Sequence, residues 1–125
     1  MSTEILRAKV GMSIEDVLKL LVNSKITGLP VVNKQGKMVG IVSEYDIIRQ
    51  ISQEKNIRSE IFQQPIDYQK KVEAIGEKTP LDEIIQCFID KKYRRLPVVD
   101  DEGKLSGIIT RRDLMKLFYY RAKLT

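Results

Sequence analysis

Two short segments of this chain pair a hydroxyl residue with an aspartate three positions later. They are Ser43-x-x-Asp46 within GIVSEYD and Thr110-x-x-Asp113 within GIITRRD. A hydroxyl and an acid at this spacing form a capping box, which satisfies free backbone N–H groups where a helix begins. A helix N-terminus can also hold an anion, because its free N–H groups and the helix dipole favour negative charge. The residue types therefore allow either a purely structural cap or an anion-binding site.

The two segments belong to a longer internal repeat. Residues 26–49, ITGLPVVNKQGKMVGIVSEYDIIR, align without a gap with residues 93–116, YRRLPVVDDEGKLSGIITRRDLMK. Upstream, SIEDVLKLLVNSK aligns with PLDEIIQCFIDKK, and the apolar positions coincide. A repeat of this extent indicates tandem duplication of one structural unit.

Each copy begins with an amphipathic helix. Apolar residues recur at helical spacing within 14–24 and again within 81–89, where the buried face is expected to include Ile89. Ser13 is the expected N-cap of the first of these helices. In the second copy we expect Thr79 at the cap and Pro80 at the first helical position.

Each copy continues with a β-hairpin. The runs LPVV and MVGIV flank NKQGK, and LPVV and LSGII flank DDEGK, with Gly36 suited to a positive φ in its turn. The flanking segments complete a β-α-β-β-α unit: extended lead-ins near 5–10 and 72–75, and second helices at about 44–52 and 111–121.

These patterns predict the domain organisation. Residues 1–52 form the first repeat, the polar stretch 53–70 an irregular or partly helical linker, and residues 71–125 the second repeat. A unit of about 50 residues buries too little surface to be stable alone, so the two should share a core. We predict an α+β fold of two intertwined units related by a pseudo-twofold axis, with the sheets packed together, the helices outside and two related clefts between the units.

Composition excludes several classes of function. The chain has no histidine, and Cys87 is its only cysteine, so an internal disulfide and a Ser-His or Cys-His dyad are excluded, and we expect no ordinary zinc site. No nucleophile–base constellation is present either, and we expect no enzymatic activity. The net charge of +5 favours anionic partners. We find no apolar run long enough to cross a membrane and no signal peptide, so a cytoplasmic location is expected.

The repeated segments closely resemble the cystathionine-β-synthase-type domain, or CBS domain. Two such domains in tandem resemble a CBS pair, also called a Bateman module, and the resemblance covers about residues 5–52 and 70–121. It implies two intertwined units with a regulatory, non-catalytic role. It further implies adenosine-containing ligands in the clefts, no required cofactor, and pairing of modules into a disc-like homodimer.

The resemblance also assigns roles to the paired residues. Ser43 and Thr110 would contact a phosphate of the ligand. Asp46 and Asp113 would accept hydrogen bonds from the 2′- and 3′-hydroxyls of a ribose, since an ionised carboxylate is an acceptor only. Candidates for contact with the base or for lining the cleft are Thr27, Ile41, Ile108 and Tyr45.

The two copies differ in charge around these residues. Before LPVV the first copy has Thr27-Gly28 and the second has Arg94-Arg95; within the motif the first has Glu44-Tyr45 and the second Arg111-Arg112. Guanidinium groups bind phosphates well. We therefore predict that the site of the second copy binds AMP, ADP or ATP more tightly than that of the first. Its residues are Thr110, Asp113, Arg94, Arg95 and Arg112. The alternative is that these arginines form a solvated face or contact a dimer partner.

Three functions remain open at this point. The leading one is a regulatory adenine-nucleotide sensor acting on an unidentified enzyme or transporter, and the first alternative is a ligand-free dimerisation scaffold of the same fold. Nucleic-acid binding is a weaker alternative, suggested by the basic segment 111–123, RRDLMKLFYYRAK. We expect its basic residues to form the solvated side of a helix and its apolar residues to form the core face. These apolar residues are Leu114, Met115, Leu117 and Phe118.

Overall fold

A computed structural model describes residues 5–124. The chain divides into two compact units, of which the first is Leu6–Val72 and the second comprises Ile5 together with residues 73–124. Each unit holds a three-stranded mixed sheet and two α-helices in the order β-α-β-β-α. The predicted α+β class is confirmed.

The first unit contains five regular elements of the repeat. They are β1 (Ala8–Lys9), α1 (Ile14–Ser24), β2 (Gly28–Val32), β3 (Met38–Ser43) and α2 (Glu44–Ser52). A 3₁₀ helix, Ser59–Gln63, follows them. The strands lie in the order β1-β2-β3, with β1 parallel and β3 antiparallel to β2.

The second unit repeats this arrangement. Its elements are β4 (Ile75–Gly76), α3 (Leu81–Lys91), β5 (Arg95–Val99), β6 (Leu105–Thr110) and α4 (Arg111–Leu124). Strand β5 lies between a parallel β4 and an antiparallel β6. The extended lead-ins and both hairpins are therefore present as the sequence pattern predicts.

The two hairpin turns have the same local structure. In the first, the Asn33 side chain accepts hydrogen bonds from the backbone N–H groups of Gln35 and Lys37, both at 3.0 Å. In the second, Asp100 accepts from Glu102 and Lys104, both at 2.9 Å. The glycines that complete the turns, at positions 36 and 103, have φ of 82° and 81°, which only glycine adopts at little cost. The positive φ predicted at Gly36 is confirmed.

The first helices begin differently in the two units. Ser13 caps α1 as predicted, and its hydroxyl accepts a hydrogen bond from the N–H of Asp16 at 3.1 Å. The prediction that Thr79 caps α3 is wrong, because α3 begins at Leu81 with Pro80 as its N-cap. The Thr79 hydroxyl instead accepts a hydrogen bond from the N–H of Gly76 at 3.0 Å.

Each unit has its own cluster of buried apolar side chains. The first comprises Ala8, Ile14, Val17, Leu21, Leu29, Val31, Val42, Ile47, Ile61 and Ile66. The second is smaller and comprises Ile75, Ile84, Phe88, Leu96, Val98 and Leu114. Cys87 is partly buried against this second cluster, consistent with a small apolar role. Ile89, expected on the buried face, is 62% exposed.

Helix α4 departs from the expected amphipathic pattern. Leu114 is buried, but Met115, Leu117 and Phe118 are 63%, 37% and 48% exposed. The prediction that these residues form a core face is therefore wrong for all but Leu114. The physical reason is the small size of the second cluster, which reaches only the first turn of a 14-residue helix.

Much of the stretch predicted to be a linker packs within the first unit. Ile61 and Ile66 belong to its core cluster. The backbone of Ile41 in β3 forms two hydrogen bonds with that of Gln69, each 2.9 Å long, so residue 69 lies along the outer edge of the sheet. Gly40 makes this approach possible, since a Cβ there would lie 2.2 Å from the Gln69 carbonyl oxygen.

We expect Gly40→Ala to lower the free energy of unfolding by about 1–3 kcal/mol, because the added methyl group overlaps backbone and the Tyr68 ring. Urea unfolding followed by circular dichroism measures the change. Gly76→Ala is the matched control, since a Cβ at this position meets only the Thr79 hydroxyl oxygen, at 3.7 Å. Equal destabilisation by the two substitutions would contradict the close packing of Gly40.

The strand-to-helix junctions as candidate ligand sites

The second junction, Thr110–Asp113, lies where β6 ends and α4 begins. The N–H of Thr110 donates to Asp113 Oδ2 at 2.8 Å, and the N–H of Asp113 donates to Thr110 Oγ1 at 3.2 Å. This is a complete capping box. Asp113 is half-buried, and its Oδ1 accepts no hydrogen bond from any residue within 5–124. One carboxylate oxygen is therefore available to a ligand.

The first junction, Ser43–Asp46, has the same backbone frame and different side-chain contacts. The N–H of Ser43 donates to Asp46 Oδ2 at 2.8 Å, and the Ser43 hydroxyl donates to the same oxygen at 3.0 Å. The Asp46 Oδ1 accepts from Arg49 Nη2 and from Gln69 Nε2, each at 3.4 Å. Asp46 is only 1% exposed. Four donors thus surround a carboxylate that is shielded from solvent.

Three arginines lie at the second junction. Arg95 is directly opposite Thr110 in the antiparallel pair, so the two side chains lie on the same face of the sheet. Arg94 precedes it, and Arg112 occupies the first turn of α4. All three are exposed, and none forms an ion pair with another described residue. The corresponding position opposite Ser43 is Gly28, which carries no charge.

Arg111 has a different role from these three. Its Nε donates to the carbonyl oxygen of Tyr93 and its Nη2 to that of Lys92, both at 2.6 Å. Both carbonyls belong to the segment between α3 and β5, which the Arg111 guanidinium therefore holds against the start of α4. Of the two arginines of TRRD, Arg111 is therefore engaged within the protein, and the sequence-based prediction names Arg112, not Arg111, as a ligand contact.

Thr27 and Tyr45, the remaining predicted site residues of the first unit, are both exposed. The Thr27 carbonyl accepts a hydrogen bond from the N–H of Glu44 at 3.0 Å. In the second unit the Arg94 carbonyl accepts the equivalent hydrogen bond from the N–H of Arg111, also at 3.0 Å. The Tyr45 ring centroid is 5.7 Å from the Arg49 guanidinium carbon, a distance typical of a cation–π contact. The backbone groups of Ile41, a candidate for contact with the base, are both engaged by Gln69.

The sequence did not predict that Arg49 and Gln69 contact Asp46. Nor did it predict that Arg111 donates to the carbonyls that follow α3. Arg49 could have been found, because it follows Asp46 by three positions on a helix, a spacing that permits an ion pair. Gln69 has no such signal, since it lies 23 positions from Asp46 and no pattern in the chain connects them.

Neither a metal centre nor a membrane-spanning helix is found in the described part of the chain. Within residues 5–124, no group of three or more acidic, cysteine or histidine side chains is placed to hold a metal ion. No helix in that range is both long and apolar enough to cross a membrane.

Comparison with known families decides what these junctions belong to. The CBS domain profile matches residues 1–53 and again residues 66–120. The chain belongs to the CBS domain family. The chloroplastic CBS domain-containing protein CBSX1 of Arabidopsis thaliana is 33% identical over 86% of this chain, which spans 56% of that relative. The uncharacterized protein MJ1426 of Methanocaldococcus jannaschii is 34% identical over 81% of this chain and 78% of its own length.

Solved structures of CBS pairs share the fold. CBSX2, crystallised in complex with AMP, is 30% identical, with a TM-score of 0.75 over 95% of this chain and 90% of that one. The CBS pair of protein MJ0100, in complex with 5′-methylthioadenosine and S-adenosyl-L-methionine, is 31% identical, with a TM-score of 0.68 over 94% and 93% of the two chains. CbpB in complex with c-di-AMP is 27% identical, with a TM-score of 0.79 over 94% and 78%.

We expect Arg111→Ala to lower the free energy of unfolding by about 1–2 kcal/mol, because two charge-assisted hydrogen bonds are lost. The neighbouring Arg112→Ala is the matched control and should change stability by no more than about 0.5 kcal/mol. Urea unfolding of both variants measures the difference. If Arg112→Ala proved the more destabilising of the two, the stabilising role assigned to the hydrogen bonds of Arg111 would be incorrect.

Proposed function

We propose that this CBS pair is a non-catalytic regulatory module that binds an adenosine-containing ligand through its second junction. One observation carries the proposal: the half-buried Asp113 keeps a free carboxylate oxygen at a helix N-terminus, beside three unpaired arginines. The relatives crystallised with AMP, with S-adenosyl-L-methionine and with c-di-AMP support an adenosyl ligand. Their ligands share adenosine, which offers ribose hydroxyls as donors.

Different side chains of the second junction contact different parts of the ligand. Asp113 Oδ1 accepts hydrogen bonds from the hydroxyls of a ribose, because an ionised carboxylate is an acceptor only. The Thr110 hydroxyl accepts from the N–H of Asp113 and keeps its own proton to donate to a phosphate oxygen. Arg94, Arg95 and Arg112 supply positive charge for further phosphate oxygens.

This arrangement favours a phosphorylated ligand over an uncharged nucleoside. We propose AMP, ADP or ATP, with no required cofactor beyond the ligand itself. Binding would then change the protein's interaction with a regulated enzyme or transporter, since a ligand shifts a conformational equilibrium toward whichever state it binds better. We place this function in the cytoplasm.

We also propose that the module forms a homodimer. Helix α4 exposes a run of large apolar side chains of the kind that mark interaction surfaces, and the equivalent positions Ile48 in α2 and Met115 in α4 are 66% and 63% exposed. A second copy of the chain would bury these side chains. The residues concerned on α4 are Met115, Phe118, Tyr119, Tyr120 and Leu124.

Nucleotide binding is tested by replacing the proposed ribose acceptor. Isothermal titration of the wild-type protein with AMP and with ATP should give saturable binding. Asp113→Ala should weaken nucleotide binding by about tenfold to a hundredfold, because the hydrogen bonds from the ribose to a charged carboxylate are lost. Asp101→Ala, an exposed turn position, is the control and should leave the dissociation constant unchanged.

Two results of this titration would contradict the proposal. Absence of heat with AMP, ATP and S-adenosyl-L-methionine would favour the ligand-free scaffold. Unchanged affinity in Asp113→Ala would move the site away from the second junction. Raising the salt concentration should weaken ATP binding more than AMP binding, because screening acts on the larger ligand charge.

The dimer is tested by placing a charge on the apolar face of α4. We expect Met115→Asp to shift sedimentation from dimer toward monomer, because a buried carboxylate at an interface loses its hydration. Ile57→Asp replaces an equally exposed apolar residue of the linker and should leave the dimer intact. A wild-type protein that sediments as a monomer at micromolar concentration would overturn the proposed dimer.

A further inference from the structure

Asp46 differs from Asp113 in what already occupies its carboxylate. Its two oxygens accept four hydrogen bonds, and these come from three parts of the first unit. Ser43 donates from the end of β3, Arg49 from α2, and Gln69 from the stretch that follows the 3₁₀ helix. The side chain is 1% exposed, whereas Asp113 is half-buried.

The contact with Gln69 lies within a larger attachment of the chain. Residues 66–69 run along the first unit: Ile66 is buried in its core, and Tyr68 packs partly buried against it. The backbone of Gln69 forms two hydrogen bonds with Ile41. The Gln69 side chain then reaches Asp46 Oδ1 at 3.4 Å.

A ligand at Asp46 would have to displace this attachment. To accept hydrogen bonds from ribose hydroxyls, the carboxylate must release Arg49 and Gln69 and open to solvent. Because the Asp46 carboxylate is only 1% exposed, water cannot replace these two hydrogen bonds unless the surrounding chain moves, so the exchange is unfavourable. The Ser43 hydroxyl is also engaged, since its proton is donated to Asp46 and is not available to a phosphate.

We infer that Asp46 is a positioning residue that anchors residues 66–69 to the first junction, and that it takes no part in ligand binding. The two copies of the repeat have therefore acquired different roles. The first copy's aspartate stabilises the path of the chain, and the second copy's aspartate recognises the ligand. The part of this inference that concerns ligand recognition rests on the proposed function, and the anchoring part does not.

The experiment compares two isosteric variants, Asp46→Asn and Asp113→Asn. Amide hydrogen exchange of Tyr68 and Gln69 reports on the anchoring, and titration with AMP reports on binding. In Asp46→Asn we expect exchange at these amides to be at least about fivefold faster, because local opening becomes easier, while AMP affinity stays within about twofold of wild type. Asp113→Asn should show the reverse: about tenfold weaker AMP binding with unchanged exchange at Gln69.

Each alternative result has a defined meaning. If Asp46→Asn weakened AMP binding as much as Asp113→Asn and left exchange at Gln69 unchanged, the inference would be overturned. Should Asp46→Asn not fold, Gln69→Ala replaces it: faster exchange at residues 68 and 69 with unchanged AMP affinity supports the anchoring, and unchanged exchange refutes it. If the wild-type protein bound no nucleotide, the proposed function would fail, while the exchange data would still decide the anchoring.

Discussion

An aspartate carboxylate that accepts the N–H of the last strand residue holds each junction together. The distance is 2.8 Å for Ser43 with Asp46 and 2.8 Å for Thr110 with Asp113. This bond stops the strand and starts the helix at a defined residue, because the acid occupies the third position of the first helical turn. The helix N-terminus and the strand end are thereby placed side by side, and every candidate ligand contact depends on that placement.

A second contact ties the same place to the start of the hairpin. The first N–H of α2 donates to Thr27 and the first N–H of α4 donates to Arg94, both at 3.0 Å. The residues just before β2 and β5 are thus held at the junctions. In the second unit this brings Arg94 and Arg95 beside Thr110, and in the first unit the same geometry brings only Thr27 and Gly28 beside Ser43. One backbone frame therefore produces two junctions of different charge.

The sequence predicted the local features well because they depend on neighbours. The capping boxes, the glycine turns and the order of strands and helices all follow from residues within four positions of one another. Its errors have two other physical causes, a competing local hydrogen bond and the extent of the core. The Thr79 hydroxyl, expected to cap α3, accepts a hydrogen bond from the N–H of Gly76 instead. Helix α4 extends beyond the second core cluster, which is too small to cover its apolar side chains. The mutual packing of the two repeats stays a prediction.

The sequence by itself determined the duplicated unit, the two junctions and the difference in charge between them, since repetition and residue type are visible in the chain. Only the tertiary structure decided which residues of the junctions are free. Gln69 reaches Asp46 from 23 positions away, and Arg111 turns back to the carbonyls of Lys92 and Tyr93. Such contacts depend on the path of the chain in space, which residue type and spacing do not specify. For that reason two aspartates that look equivalent in the sequence differ in burial and in the partners they hold.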